Sequence, residues 1–235
     1  MKDSVSTRPR YRTRLAQYAG FFPPGVMFAK VPSRHGAVAL TFDDGPHPEY
    51  TDRILDTLGR HQAHATFFAV GKCARAHPRI VRRIVDEGHT LGCHTDTHAD
   101  LARIGPIATW RECVQAQHTL QELSARPVRY LRPPWGHIGT SGLPIAVANR
   151  MAVAMWSLDS LDYQKLAAEE LVTHMRQAAP EPGDVILFHD DGANTVQALP
   201  DLLALFRERG LSCLSLEEIS GATAIVVPSP PELKA

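Results

Sequence analysis

Residues 40–51, LTFDDGPHPEYT, set two carboxylates side by side at the end of an apolar run and just ahead of a Gly-Pro turn. The run AVALTF (37–42) reads as a buried strand, and Asp43 and Asp44 fall where that strand should end. Adjacent like charges repel, and aspartate is depleted in strands. Local conflicts of this kind gather at functional sites. The stretch therefore marks a strand and the rim on which a site is built.

Outward from this strand, helix and strand signals alternate. PEYTDRILDTLGRH puts Ile54, Leu55 and Leu58 on one helical face, and ATFFAV (65–70) is a second strand. A helix follows from Pro78 to Glu87 and stops at Gly88, then a short strand in HTLGCH and a helix from Pro106 to Ser124. VRYLRPP is a strand ended by two prolines, which cannot continue a ladder. A short helix at 143–150 leads into the strand MAVAMWSLD, a helix at 165–178, the strand DVILFH (184–189), a helix at 195–209 and a last strand in LSCLSL. The alternation, about seven strands in roughly 190 residues, predicts an α/β fold: a mostly parallel sheet curled into a distorted, incomplete β/α barrel. Residues 1–36, with Pro9, Pro23, Pro24 and Pro32, are expected to form an arm packed partly on the body; 37–220 is one domain, and 221–235 a loosely held tail.

Composition excludes several classes. Lys+Arg and Asp+Glu are equal at 25 each, so no global charge attracts nucleic acid or anionic lipid. The four cysteines are scattered without a CxxC pair, which argues against a zinc-thiolate site and a disulfide framework, and free thiols fit a reducing compartment. No stretch approaches the ~18 apolar residues of a membrane span. No export signal is visible in the charged start, so a chain complete as given would be cytoplasmic, and the expected state is a monomer.

Polar clusters recur at the C-terminal ends of the expected strands, where α/β folds build their sites: Asp43 to Pro46, HTDTH (94–98), RPPWG (132–136), DSLDY (159–163) and FHDD (188–191). His94 and His98 are spaced i, i+4, so one turn of helix would put both imidazoles on one side, where neutral rings invite a divalent metal. A carboxylate from the first strand completes a His-His-Asp set. Cys93 beside His94 points to the opposite face of a strand and is expected to be buried, outside the ligand set. The remaining histidines, His64, His89 and His137 among them, read as structural or surface residues.

Taken in order, TFDDGP, HTDTH, RPPWG, DSLDY and LFH resemble the motifs of the NodB-homology polysaccharide deacetylases, carbohydrate esterase family 4, over residues 37–220. The resemblance implies a distorted β/α barrel, a divalent metal (zinc, with cobalt or nickel as substitutes) and hydrolysis of N-acetyl groups on the amino sugars of a glycan. It implies Asp43 as catalytic base, Asp44, His94 and His98 as metal ligands, and Arg132 as the residue that holds and polarises the base, to which a guanidinium can offer two parallel donors. His189 is implied as general acid, oriented by Asp162. The backbone N–H of Trp135 would bind the oxyanion, Gly136 would let backbone approach a sugar, and Leu187 would receive the acetyl methyl group. Tyr163 stands where the family usually has Trp, and Trp135 where Tyr is more frequent, which alters the groove walls.

Two other classes share parts of this pattern. A non-haem Fe(II) oxygenase also uses two His and a carboxylate, but on antiparallel β folds. A non-catalytic glycan-binding module on the same scaffold would lack the base or the acid, and Asp43 and His189 are both present.

Overall fold

The computed structural model describes residues 19, 21–23, 25–32 and 36–221. Most of the expected arm and, apart from Gly221, the expected tail lie outside these residues. In chain order the elements are β1 (Met27–Phe28), β2 (Ala37–Asp43), α1 (Tyr50–His61), β3 (Thr66–Ala69), α2 (Gly71–Ala76), α3 (Pro78–Asp86), β4 (Thr90–Cys93), α4 (Pro106–Ser124) and β5 (Tyr130–Leu131). They continue with α5 (Gly139–Ala148), β6 (Ala152–Ala154), β7 (Leu158–Asp159), α6 (Ala168–Ala178), β8 (Val185–His189), α7 (Ala193–Glu208), β9 (Ser212–Leu214) and α8 (Leu216–Gly221). Short 3₁₀ turns cover Pro134–Gly136 and Asp162–Gln164.

The strands form one sheet in the order β1-β6-β5-β4-β3-β2-β8-β7, with β9 beside β2, and every ladder is parallel. The end strands β1 and β7 do not pair, so the barrel is incomplete, as expected. Among the described residues nine strands replace the seven expected, for two reasons. MAVAMWSLD splits into β6 and β7, which pair with different neighbours. Residues of the expected arm add β1 at the edge of β6 and then cross the seam, where Val31 N–H donates to Gly183 O at 2.9 Å.

Strand alternation decides which side chains reach the barrel interior. In β2, Val38, Leu40 and Phe42 pack in the layer under the helices, whereas Ala37 and Ala39 belong to the interior cluster. By that parity Thr41 and Asp43 also face inward. In β8, Ile186 and Phe188 go out, and Val185 and Leu187 go in, which brings His189 inward as well. β5 sends Leu131 out and Tyr130 in, so Arg132 just past its end points inward and is fully buried. Small residues line this interior (Ala37, Ala39, Ala152, Ala154), leaving room for Phe68 and for the Arg132 guanidinium 4.1 Å above its ring.

Gly92 tests this packing. A Cβ there would lie 2.5 Å from the Phe68 ring, whereas one at Gly59, in the last turn of α1, would touch nothing within 4 Å. Gly92→Ala should destabilise by about 1–3 kcal/mol through overpacking, and Gly59→Ala should stabilise by roughly 0.4–1 kcal/mol. Urea denaturation of both variants checks the pair, with opposite shifts in midpoint as the expected result.

Candidate active site

Register brings the rim residues together. Asp43 is paired with His189 across β2 and β8 and with Phe68 across β2 and β3, and Cys93 with Leu131 across β4 and β5. Each ladder thus ends at the same level, and the residues after it surround one cavity of about 470 Å³. Of the expected site residues, Asp43, Asp44, His94, His98, Trp135, Asp162, Tyr163, Leu187 and His189 line it. Arg132 lies beneath, bonded to Asp43, and Gly136 sits one residue beyond Trp135 without lining the cavity.

Asp43 and Asp44 diverge, as their neighbourhood requires. Asp43 keeps the strand conformation and points inward, where its Oδ1 accepts a bond from Arg132 Nη1 at 2.8 Å. Asp44 turns to φ 82, which swings its carboxylate towards the β4 side of the rim. Gly45 follows because nothing larger fits: its Cβ would fall 2.0 Å from the carboxylate of Asp190.

The Nε2 atoms of His94 and His98 lie 3.3 and 3.1 Å from Asp44 Oδ1, and the three donor atoms are all within 4.8 Å of one another. His94 Nδ1–H donates to Arg132 O at 2.7 Å, which leaves Nε2 as a lone pair on the neutral ring. Asp44 Oδ1 is buried and has no hydrogen-bond partner. A lone pair facing an unpartnered carboxylate oxygen is repulsive unless a cation lies between them. Two imidazole nitrogens and one carboxylate oxygen, with open positions left over, suit a divalent ion such as zinc. Burial pushes the Asp44 carboxyl up, while donated bonds and positive charge from His94 and His98, were the rings protonated, would hold it well below the usual carboxylate range; with neutral rings a cation between them takes that part.

One expectation needs correction here. The His94–His98 segment is a loop, with no helical turn: β4 ends at Cys93, and Thr95 and His98 adopt φ 65 and 63. Two left-handed residues achieve what the i, i+4 spacing predicted from a helix. Cys93 is fully buried as expected, with its Sγ on the carbonyl of Cys113.

Across the cavity, His189 Nδ1–H donates to Asp162 Oδ1 at 2.7 Å. The other oxygen, Oδ2, accepts from His189 N–H and from Thr195 Oγ1–H, both at 2.7 Å. Burial opposes charge on His189, but the bond to Asp162 and its negative charge, with Asp43 and Asp44 further away, prevail and push its pKa up to about 10.

A second correction concerns Arg132. Only Nη1 reaches Asp43, and it also donates to Thr41 Oγ1 at 2.8 Å; Nε and Nη2 donate to the carbonyls of Ala154 and Met155, each at 3.0 Å. The two-donor fork expected on the carboxylate is spread over β2 and the end of β6 instead. Two aromatic rings flank the mouth, each more than half exposed: Trp135, edge-on to His98 at 4.5 Å, and Tyr163, edge-on to His189 at 5.9 Å.

Several participants escaped sequence reasoning. Thr195 and Thr51 carry no local signal. Asp190 carries a signal, since it belongs to the FHDD cluster at a strand end; its carboxylate accepts from Thr51 Oγ1 at 2.6 Å beneath the Asp43–Gly45 turn, and burial raises its pKa to about 7. Asp159, which reads in the sequence as a bystander on the loop, lines the cavity and accepts from Leu161 N–H at 2.9 Å.

The comparisons with known proteins agree with this geometry. Residues 30–156, just over half of the chain, match the family model described as polysaccharide deacetylase. A peptidoglycan-N-acetylglucosamine deacetylase of Bacillus cereus is 35% identical over 172 residues, which is 73% of this chain and 62% of that protein; the chain thus spans less than two thirds of this relative. A chitooligosaccharide deacetylase of Sinorhizobium fredii is 33% identical, covering 77% of this chain and 91% of that protein. A solved peptidoglycan N-acetylglucosamine deacetylase superposes with a TM-score of 0.78 at 31% identity, over 83% of this chain and 92% of the other. With the motifs in order on the expected barrel, the chain belongs to the polysaccharide deacetylase family.

Proposed function

We propose that this protein is a metal-dependent hydrolase that removes N-acetyl groups from the amino sugars of an oligo- or polysaccharide. The observation that carries the reading is the facing of two units across one cavity, an Asp-His-His ligand set and a His189–Asp162 pair, with the Arg132-held Asp43 between them. The named substrates of the relatives, peptidoglycan N-acetylglucosamine and chitooligosaccharide, indicate the substrate class. Zinc is the proposed ion, with cobalt or nickel able to replace it.

A divalent cation held by Asp44, His94 and His98 would polarise the acetyl carbonyl and acidify water. Asp43, fixed by Arg132, takes the proton of the attacking water. The backbone N–H of Trp135 offers a donor to the developing oxyanion. His189 carries a proton at neutral pH and delivers it to the departing amine, while Asp162 holds the ring in place through Nδ1. Leu187 forms the apolar wall for the acetyl methyl, and Trp135 and Tyr163 offer flat faces to neighbouring sugar rings.

Acetate release from chitooligosaccharides, peptidoglycan fragments and acetylated xylan tests this reading. Turnover is expected on the N-acetylated glycans, to be lost on chelation and restored by zinc. Asp43→Asn should retain metal and lose most turnover, so a metal-replete Asp43→Asn enzyme at wild-type rate would remove the base assignment.

Arg132→Lys shortens the reach and leaves the carbonyls of Ala154 and Met155 without their donor. Each unsatisfied buried group costs about 1–3 kcal/mol, so a lower Tm should accompany a loss in kcat of about tenfold or more. Thermal melts and steady-state kinetics on one preparation check both.

The proton on His189 is lost as pH rises through its elevated pKa, so the alkaline limb of the kcat profile reports this group. Asp162→Asn removes the adjacent negative charge, and the limb should move to lower pH by about 1 unit or more. A pH–rate profile with an unmoved limb would show that Asp162 only shapes its turn.

A further inference from the structure

The loop that carries His98 is held in place from two sides. On one side, the first N–H groups of α2 grip its carbonyls: Gly71 N–H donates to Thr95 O at 3.0 Å and Lys72 N–H to Asp96 O at 2.9 Å. On the other side, a single carboxylate from α4 takes its donors. Glu112 Oε2 accepts from the N–H of Asp96 at 3.0 Å and of Thr97 at 2.8 Å, while Oε1 accepts from Thr97 Oγ1–H at 2.8 Å. Asp96 is further tied by a two-bond fork from Arg75, at 2.6 and 2.9 Å.

These bonds surround two residues in an unfavourable conformation. Thr95 and His98 both have positive φ, and Thr95 is β-branched. Such conformations are costly and persist where the surroundings over-determine them. Without the grip on Asp96 and Thr97 the loop has every reason to relax, and His98 would leave its position 3.1 Å from Asp44 Oδ1. β4 and its pairing with β5 hold His94 independently. The position of His98 relative to His94 is therefore the adjustable part of the ligand set.

We propose that Glu112 is a positioning residue for the metal site: its carboxylate presets the His94–His98 spacing and so sets metal affinity. The inference rests on the metal-dependent reading above. Metal affinity is the direct readout, measured on the full chain by competition for zinc with a chromophoric chelator. Glu112→Ala should raise the zinc Kd by about tenfold or more, the scale of lost outer-shell support, and shrink the zinc-induced rise in Tm. Glu122→Ala, on an exposed position of the same helix, should bind as wild type. A Glu112→Ala chain with wild-type Kd overturns the proposal, even if its metal-free Tm falls, since that is the mark of a merely structural residue. Should the alanine variant fail to fold, Glu112→Asp decides the matter. Its carboxylate is one methylene short of the N–H groups of Asp96 and Thr97 and of the Thr97 hydroxyl, so a smaller weakening is expected and an unchanged Kd overturns the proposal. A wild-type chain that takes up no zinc, cobalt or nickel would instead overturn the metal reading itself.

Discussion

The buried guanidinium of Arg132 is the interaction on which the rest of the site depends. A full charge at zero exposure is tolerated only when paired and hydrogen-bonded. Four donors are committed, to Thr41, Asp43, Ala154 and Met155, and the ring of Phe68 lies beneath. The residue's own carbonyl accepts the Nδ1–H of His94. One side chain and its peptide group thus link the carboxylate on β2, the imidazole after β4 and the carbonyls at the end of β6. Burial lowers the Arg132 pKa, and the charge and bond of Asp43 oppose that change. The carboxylate is as necessary to the arginine as the arginine is to the carboxylate.

This centre can form only because the interior below it is cut small. Alanines on β2 and β6 and the bare Cα of Gly92 leave the volume that Phe68 and the guanidinium fill. Outside the barrel the reverse holds: Leu40, Phe42, Phe67 and Phe188 are large and pack under α-helices. The sheet therefore has an apolar outer layer that supplies stability and a narrow inner layer that supplies chemistry. Period-two alternation assigns each residue to one or the other. Asp43 is one strand step from Phe42, and His189 one step from Phe188.

That alternation is why so much was legible in the sequence. β2, β8 and the level of the rim follow from apolar runs ended by charged or proline residues, and the ordered motifs placed most of the site. What stayed hidden depends on distance along the chain. Glu112 reads as an ordinary helix residue until α4 folds against the loop at 95–97, and Thr195 acquires its role only when α7 begins beside Asp162. The i, i+4 spacing of His94 and His98 predicts converging rings on a helical turn; the rings converge from a loop instead, because spacing alone does not distinguish a helical turn from a loop with two left-handed residues. α2, six residues long, is too short to show a helical period. β1 is two residues whose strand character comes entirely from the β6 edge beside it.

Electrostatics around the cavity gives an independent reason for the chemistry proposed. Asp43, Asp44, Asp159, Asp162 and Asp191 line it, facing one lysine, Lys165, with Arg132 bonded below. With His189 protonated, five carboxylates stand against three monocations, an excess of two negative charges. Burial first, and then neighbouring carboxylates, push the Asp159 and Asp191 carboxyls up, the behaviour of acids crowded by like charge. His189 is driven to its cationic form by the same field. A divalent ion at Asp44 would balance the remaining charge at the point where two imidazoles already converge. The excess of acids that holds the proton on His189 would therefore also favour a doubly charged cation at the opposite wall, so that the proposed acid and the proposed metal site draw on one charge distribution.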